Sequence, residues 1–358
     1  MKLKIFKTIT LFSFLYVGTA FASHCVSHSH SHSQSDSHQV KEIVYDNFND
    51  EGASYSAKWS TPFYGIAGET YFQDGGSLLV TFPKGKLKVS SPEFQWASET
   101  LFFDHIKYLA TSNKIFHIPK IGSIEFSADI KAKTFNTVPN LTMIAHKVSN
   151  GEEVRYLLNE GRQAGATLHM LNFQETGVLF DWFVYGNQAF ALYERLFNAP
   201  VYPADIQTAF TQIVEIFDIT PDTHNFAIRY TRNQNTGKDK VEYLIDGKIK
   251  TRVRDIGIPL NLHGHNAVYP AQGPGERVVD LMTGMIIGHG LFSLLDVFPF
   301  QDEDSAGTSV TIPLRGPFPN LNLNKPKVNS RIWGQGAEAE FDNFKVIIRR
   351  KIQPGSSS

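Results

Sequence analysis

Along most of the chain, apolar residues come in short runs or alternate with polar ones at every second position. That is the spacing of a pleated strand with a buried face. The runs "SLLVTF" (77–82), "SIEFSADIKA" (123–132), "ATLHMLNF" (166–173), "VTIPL" (310–314) and "EFDNFKVIIRR" (340–350) each end at Gly, Pro, Asn or Asp. In "DKVEYLIDGKIKTRVR", Asp246-Gly247 separates two alternating runs. Asp-Gly supplies the positive φ angles of a tight hairpin, so a hairpin is predicted there. Helical spacing is weak, and residues 104–112 and 204–210 are predicted to form short helices on connections. Residues 257–289 are rich in Gly and Pro and read as long loops around one or two strands. The pattern predicts an all-β, two-sheet antiparallel sandwich with a few short helices.

The stretch "GVLFDWFVYGNQAFALYERL" (177–196) carries the densest candidate chemistry. A two-residue turn at Gly186-Asn187 sets Tyr185 opposite Gln188, Asp181 opposite Leu192 and Leu179 opposite Glu194. Asp181 and Glu194 then share a face, diagonal to each other and within side-chain reach. A tight turn at 174–177 would set Asn172 opposite Leu179 and bring it to the same face. Two carboxylates at that range suit a glycoside hydrolase or a polysaccharide lyase. The competing reading is core, because Leu168, Met170, Leu179, Phe183, Phe190 and Leu192 fall on that face too. The opposite face presents Trp182, Tyr193 and His169 beside Ala189 and Ala191. Aromatic faces next to small residues can stack on a sugar or another flat ligand. Only one face can be core, and the sequence leaves the choice open.

Composition narrows the partners. The chain has 358 residues, of which 42% are hydrophobic, enough for a sizeable core. With 34 basic and 35 acidic residues the net charge is −1, so no field exists to hold a nucleic acid. Residues 1–22 join a basic start, a short apolar run and small residues Ala20 and Ala22, the pattern of a secretory signal. The run is too short for a stable membrane anchor, so the mature protein is expected to be secreted or periplasmic. Cys25 is the single cysteine, which excludes an internal disulfide.

Residues 23–42 open on "SHCVSHSHSHSQSDSH" and are expected to be a disordered tail, as are 351–358. His28, His30 and His32 in that tail could take Zn, Cu or Ni, or the tail could be a plain spacer. His263 and His265 in "LHGHN" could share a metal, with His289 or Asp280 completing the site. The acidic "QDEDSAG" (301–307) could hold Ca²⁺. No cofactor is required by any of these readings, and the sequence does not fix the oligomeric state.

"YDNFND" (45–50), "VEYLIDGKIKTRV", "GLFSLLD" (290–296) and "AEFDNFKVIIRR" (339–350) together resemble the concanavalin A-like jelly roll, in particular its laminin-G-like branch. "LNFQETGVLFDWFVYGNQAFALYERL", with "FDHIKYL" upstream, is similar to a poorly characterised family of secreted bacterial and fungal proteins of that fold. The resemblance covers about residues 43–350. It implies a single sandwich domain whose first and last strands lie together, and it brings no activity. Binding of a carbohydrate or another small ligand is the leading expectation, an acid-pair glycosidase or lyase the alternative, and periplasmic metal handling through the His-rich tail a further one.

Overall fold

The computed structural model describes residues 38–61, 78–91, 106–137, 143–149, 152–158, 164–172, 175–195, 208–258, 276–293, 310–311 and 334–351. They form two antiparallel sheets that share one hydrophobic core. The first sheet runs, edge to edge, β16 (Lys248–Arg254), β15 (Lys238–Ile245), β14 (His224–Asn233), β7 (Ile121–Phe135), β21 (Gly336–Lys351), β4 (Leu87–Ser91) and β3 (Leu79–Thr81). β1 (His38–Asp46) joins it by pairing with the C-terminal half of β21. The second sheet runs β2 (Trp59–Ser60), β5 (Ile106–Ser112), β19 (Gly284–Ser293), β10 (Ala164–Asn172), β11 (Val178–Val184), β12 (Gln188–Arg195), β13 (Thr208–Asp218) and β20 (Val310–Thr311). β6 (Phe116–His117) pairs with β19. Two small ladders, β8 (Met143–Ser149) with β9 (Glu152–Leu158) and β17 (Gly257–Ile258) with β18 (Glu276–Arg277), complete the strands.

The predicted sandwich is therefore present, and so is the hairpin at Asp246-Gly247. Both residues have positive φ, 51° and 72°, as a two-residue turn between β15 and β16 requires. First and last strands pair, as the resemblance implied. The two Asp-Asn-Phe segments meet at that junction, where Phe48 packs edge-on against Phe344 with centroids 5.9 Å apart. The buried Asp46 carboxylate fixes the chain after β1, accepting from Trp59 Nε1 at 2.8 Å, Lys58 Nζ at 2.9 Å and the Phe48 amide at 3.2 Å.

Three expectations are corrected. β1 starts at His38, inside the stretch assigned to a disordered tail: it buries little itself, but β21 offers its backbone a full set of partners. Residues 1–37, and with them the signal sequence, lie outside the described residues. Residues 106–112 of the first predicted helix are strand β5, in which Tyr108 and Ala110 alternate into the core. Residues 208–210 of the second predicted helix belong to β13. A four-residue helix, α1 (Tyr55–Lys58), lies between β1 and β2 instead.

One buried cation ties the loops at one end of the sandwich. Arg232 on β14 donates to the carbonyls of Pro119 (2.8 Å), Ile118 (2.9 Å), Val279 (3.0 Å) and Met282. Replacing it, Arg232→Met, leaves those buried carbonyls unpaired and should cost about 3 kcal/mol or more. Urea unfolding monitored by Trp fluorescence checks this; a shift of the midpoint no larger than that of an exposed Arg→Met control would contradict it.

Candidate functional site

The turn at Gly186-Asn187 sets the register of β11 and β12 as the sequence predicts. Leu179 lies opposite Glu194 and Asp181 opposite Leu192, and the Tyr185 amide donates to the Gln188 carbonyl at 2.9 Å. Gly186, the first turn residue, has φ +99°, which an L side chain rarely adopts. The loop before β11 departs from the prediction. Asn172 lies opposite Val178, not Leu179. Its side-chain oxygen accepts from the Thr176 amide (2.8 Å) and hydroxyl (2.7 Å), which closes a five-residue loop with the Gly177 amide on the Asn172 carbonyl.

That one-residue difference exchanges the faces of β10 relative to β11. Leu168 and Met170 join Phe180, Trp182 and Tyr193 in the core between the sheets. His169 moves to the outer face, directly opposite Asp181. The aromatic platform proposed from the sequence is thus interior. Trp182 is 0% exposed, donates from Nε1 to the Ala227 carbonyl at 3.0 Å, and packs against Phe226 and Tyr243. Tyr193 is equally enclosed, stacked on Phe180. Neither can meet a ligand. Asn172 is also structural: its amide donates to the Gly284 carbonyl and to Glu175 Oε2, both at 2.7 Å.

What remains on the outer face is a chain of polar groups crossing three strands. Thr167 Oγ1 lies 2.7 Å from His169 Nε2. His169 Nδ1 lies 2.6 Å from Asp181 Oδ1. Asp181 is hydrogen-bonded in turn to Glu194. His169 and Asp181 are 4% and 2% exposed, while Glu194 is half-buried. Gly288 of β19 makes room for the ring, since a Cβ there would come within 3.2 Å of His169. Lys107 of β5, at a bulge against β19, is buried as well.

Burial sets the protonation of the chain. It drives the His169 pKa down to about 4, with the Glu194 charge opposing, so the ring is neutral near pH 7. It pushes the Asp181 carboxyl well above the usual range against the hydrogen bond from Glu194, so this acid keeps its proton. Burial also lowers Lys107 to about 8. The hydrogen bond with Glu194 opposes the Asp181 shift, as a bond donated to the Asp181 carboxylate does. On the neutral ring one nitrogen donates and the other accepts, between Asp181 and the Thr167 hydroxyl. The half-buried Glu194 is the end of the chain nearest solvent.

The acid pair foreseen from the sequence is therefore assembled, but in contact. Two carboxyl groups that straddle a glycosidic bond stand roughly 5–9 Å apart, and a pair hydrogen-bonded to each other leaves no space for a sugar between them. The geometry suits proton transfer at a single point. Sequence reading missed Thr167 and Lys107. Thr167 stands two residues before His169 and so shares its face; Lys107 was hidden by the helical reading of its segment.

Of the metal candidates, His28, His30, His32, His263 and His265 and the acidic segment 301–307 lie outside the described residues. His289 cannot complete a surface metal site. It is wholly buried in the core, its ring 4.5–5.0 Å from those of Trp59, Phe344 and Phe341. Among the described residues, no group of three or more His, Cys, Asp or Glu is arranged to hold a metal, and no helix is long and apolar enough to cross a membrane.

Two outcomes are expected from these placements. Trp182→Ala should destabilise the fold by about 3–5 kcal/mol, read as a lowered urea midpoint, and change ligand binding only through that loss. His169, with its folded pKa below its unfolded value, contributes stability that is full above pH 6.5 and falls as pH drops towards about 4. His169→Gln should remove roughly 3 kcal/mol of that acid-side loss. Unfolding curves of both proteins between pH 7 and pH 4 measure it; parallel pH profiles would contradict it.

Comparison with known proteins follows the fold and adds a family. Solved structures similar to this chain include an endo-1,3-β-glucanase from Streptomyces sioyaensis, at 9% identity and a TM-score of 0.43, over 88% of this chain and 96% of that one. The potassium-bound carbohydrate recognition domain of Emp46p is similar at 6% identity and 0.34, over 86% and 98%. A cellulose-induced protein is similar at 10% and 0.34, over 84% and 95%. Likeness at these scores does not specify an activity. No curated protein matches the sequence significantly. A family model, in contrast, matches residues 45–350, from the end of β1 to the end of β21. The chain belongs to DUF6081, a family of unknown function.

Proposed function

We propose that the outer face of the β10–β12 sheet is a carbohydrate-directed site, with Glu194 as the group that meets the ligand and Asp181, His169 and Thr167 as its proton relay. The observation that carries this reading is the hydrogen-bonded chain from Thr167 to Glu194, buried at one end and accessible at the other. A carboxylate accepts hydrogen bonds from sugar hydroxyls, and the protonated acid behind it can return a proton that Glu194 gives up. The contact between the two acids favours proton transfer, of the kind an eliminating lyase uses, over two-sided hydrolysis. In such a step Glu194 takes the proton next to an electron-withdrawing group, a C=C bond forms as the neighbouring C–O bond breaks, and Glu194 returns the proton to the departing oxygen. Export, supported by the pattern of residues 1–22, would bring the site to extracellular glycans.

A second reading is binding without turnover. It is favoured by the depth of Asp181, whose 2% exposure keeps it from touching a ligand itself. A polysaccharide screen with product analysis of every binding partner separates the two. Turnover is expected to give unsaturated products and to fall by about 10²-fold or more in Glu194→Gln, with Asp181→Asn shifting the pH profile. Bound but intact ligand would leave the binding reading. Silence towards every polysaccharide would refute the carbohydrate assignment.

A further inference from the structure

The far side of the molecule carries a second charged surface. On the outer face of the eight-stranded sheet, residues paired across the ladders form a row from β7 to β16, which Arg349 of β21, opposite Ser123, joins diagonally. Glu125 lies opposite Arg229, Arg229 opposite Glu242, and Glu242 opposite Arg252. Glu125 Oε2 receives Arg229 Nε at 2.6 Å and Arg349 Nη1 at 3.0 Å. Glu242 holds Lys240 Nζ at 2.7 Å, Arg229 Nη1 at 3.5 Å and Arg252 Nε at 3.8 Å. The acids are sunk in the sheet, 8% and 2% exposed, while the Arg252 side chain is 43% exposed. Arg254 lies opposite Lys240 one position further and is exposed.

Two features of this row go beyond a ladder of surface ion pairs. Among the described residues, the ion pairs of Arg229, Arg252, Arg349 and Lys240 go to Glu125 and Glu242, and Glu42 at the end of the row is matched by Lys345, so the row keeps an excess of positive charge although the chain as a whole is balanced. The buried carboxylates also fix where the guanidinium groups sit, leaving their outer N–H donors arrayed without further ordering cost. Five strands at about 4.8 Å spacing give the row a length of roughly 19 Å.

We propose that this face binds an acidic polysaccharide, with carboxylates or sulfates spaced along it. A small anion would gain little, because every cation has a carboxylate within one strand spacing. A polymer sums the excess over the whole row. The half-buried Thr231, beside the row, can offer its hydroxyl to sugar hydroxyls. No aromatic ring is among the residues of the row to stack nucleic-acid bases. The surface lies on the sheet opposite Glu194, so the two functions can be tested separately.

The test uses the full purified chain with polygalacturonate, dextran sulfate and neutral dextran, at low and physiological salt. The acidic polymers should bind in preference to dextran, more weakly as salt rises. Arg252→Ala combined with Arg349→Ala should lower affinity about tenfold or more, while the double Arg→Lys variant retains most of it. Lys114→Ala, an exposed cation between β5 and β6 on the other sheet, should bind as the parent does. No preference over dextran, or an undiminished affinity in a folded double-Ala variant, would overturn the proposal. So would stronger retention by phosphatidylglycerol vesicles or single-stranded DNA than by either polysaccharide. Loss of binding in Glu194→Gln alone would place the polymer at the other face.

Discussion

The aromatic layer between the sheets is the constraint from which the rest follows. Trp182 reaches across to Phe226 and Tyr243, at 5.4 and 5.5 Å between ring centroids, and hydrogen-bonds the backbone of β14. Phe180 stacks on both Tyr193 and Tyr230. Rings of this size have one place to go in a two-layer protein, and a strand in unbroken register, as β11 is with β10 and β12, alternates its side chains. Once Phe180 and Trp182 point inward, Asp181 must point outward. The polar relay owes its position to the packing on the other side of the same strand.

That position is costly for a charge. Asp181 and His169 are removed from water, where an isolated ion would be strongly disfavoured. The structure answers by shifting both groups towards their neutral forms, while Glu194 at the end of the chain stays half-buried. At the opposite surface the same problem has another solution. Glu125 and Glu242 are each enclosed by cations, and those cations are left over as a surface.

Much of this could be read from the chain alone. Alternation at two-residue spacing and the Asp-Gly turn specified an antiparallel sandwich, and Gly186-Asn187 specified the β11–β12 register, because a two-residue turn leaves no freedom in pairing. The pairing of the chain's two ends was foreseen through its Asp-Asn-Phe segments. Asp181 and Glu194 were placed together correctly for the same local reason. The aromatic platform was not, because it depended on which face is core. His169 was assigned to the wrong side because the loop at 173–177 is one residue different in register from the tight turn assumed. No local signal announced that the Asn172 side chain would close it.

The sequence by itself determined the class of fold, its tight turns and the pairing they impose, since these rest on interactions between residues close along the chain. The tertiary structure alone decided which face of the central hairpin is interior, that the acids touch, and that His169 and Thr167 join them. Those outcomes depend on side chains brought together from distant strands, and on burial. Burial is a property of the packed molecule, and it is what raises the Asp181 pKa and lowers that of His169.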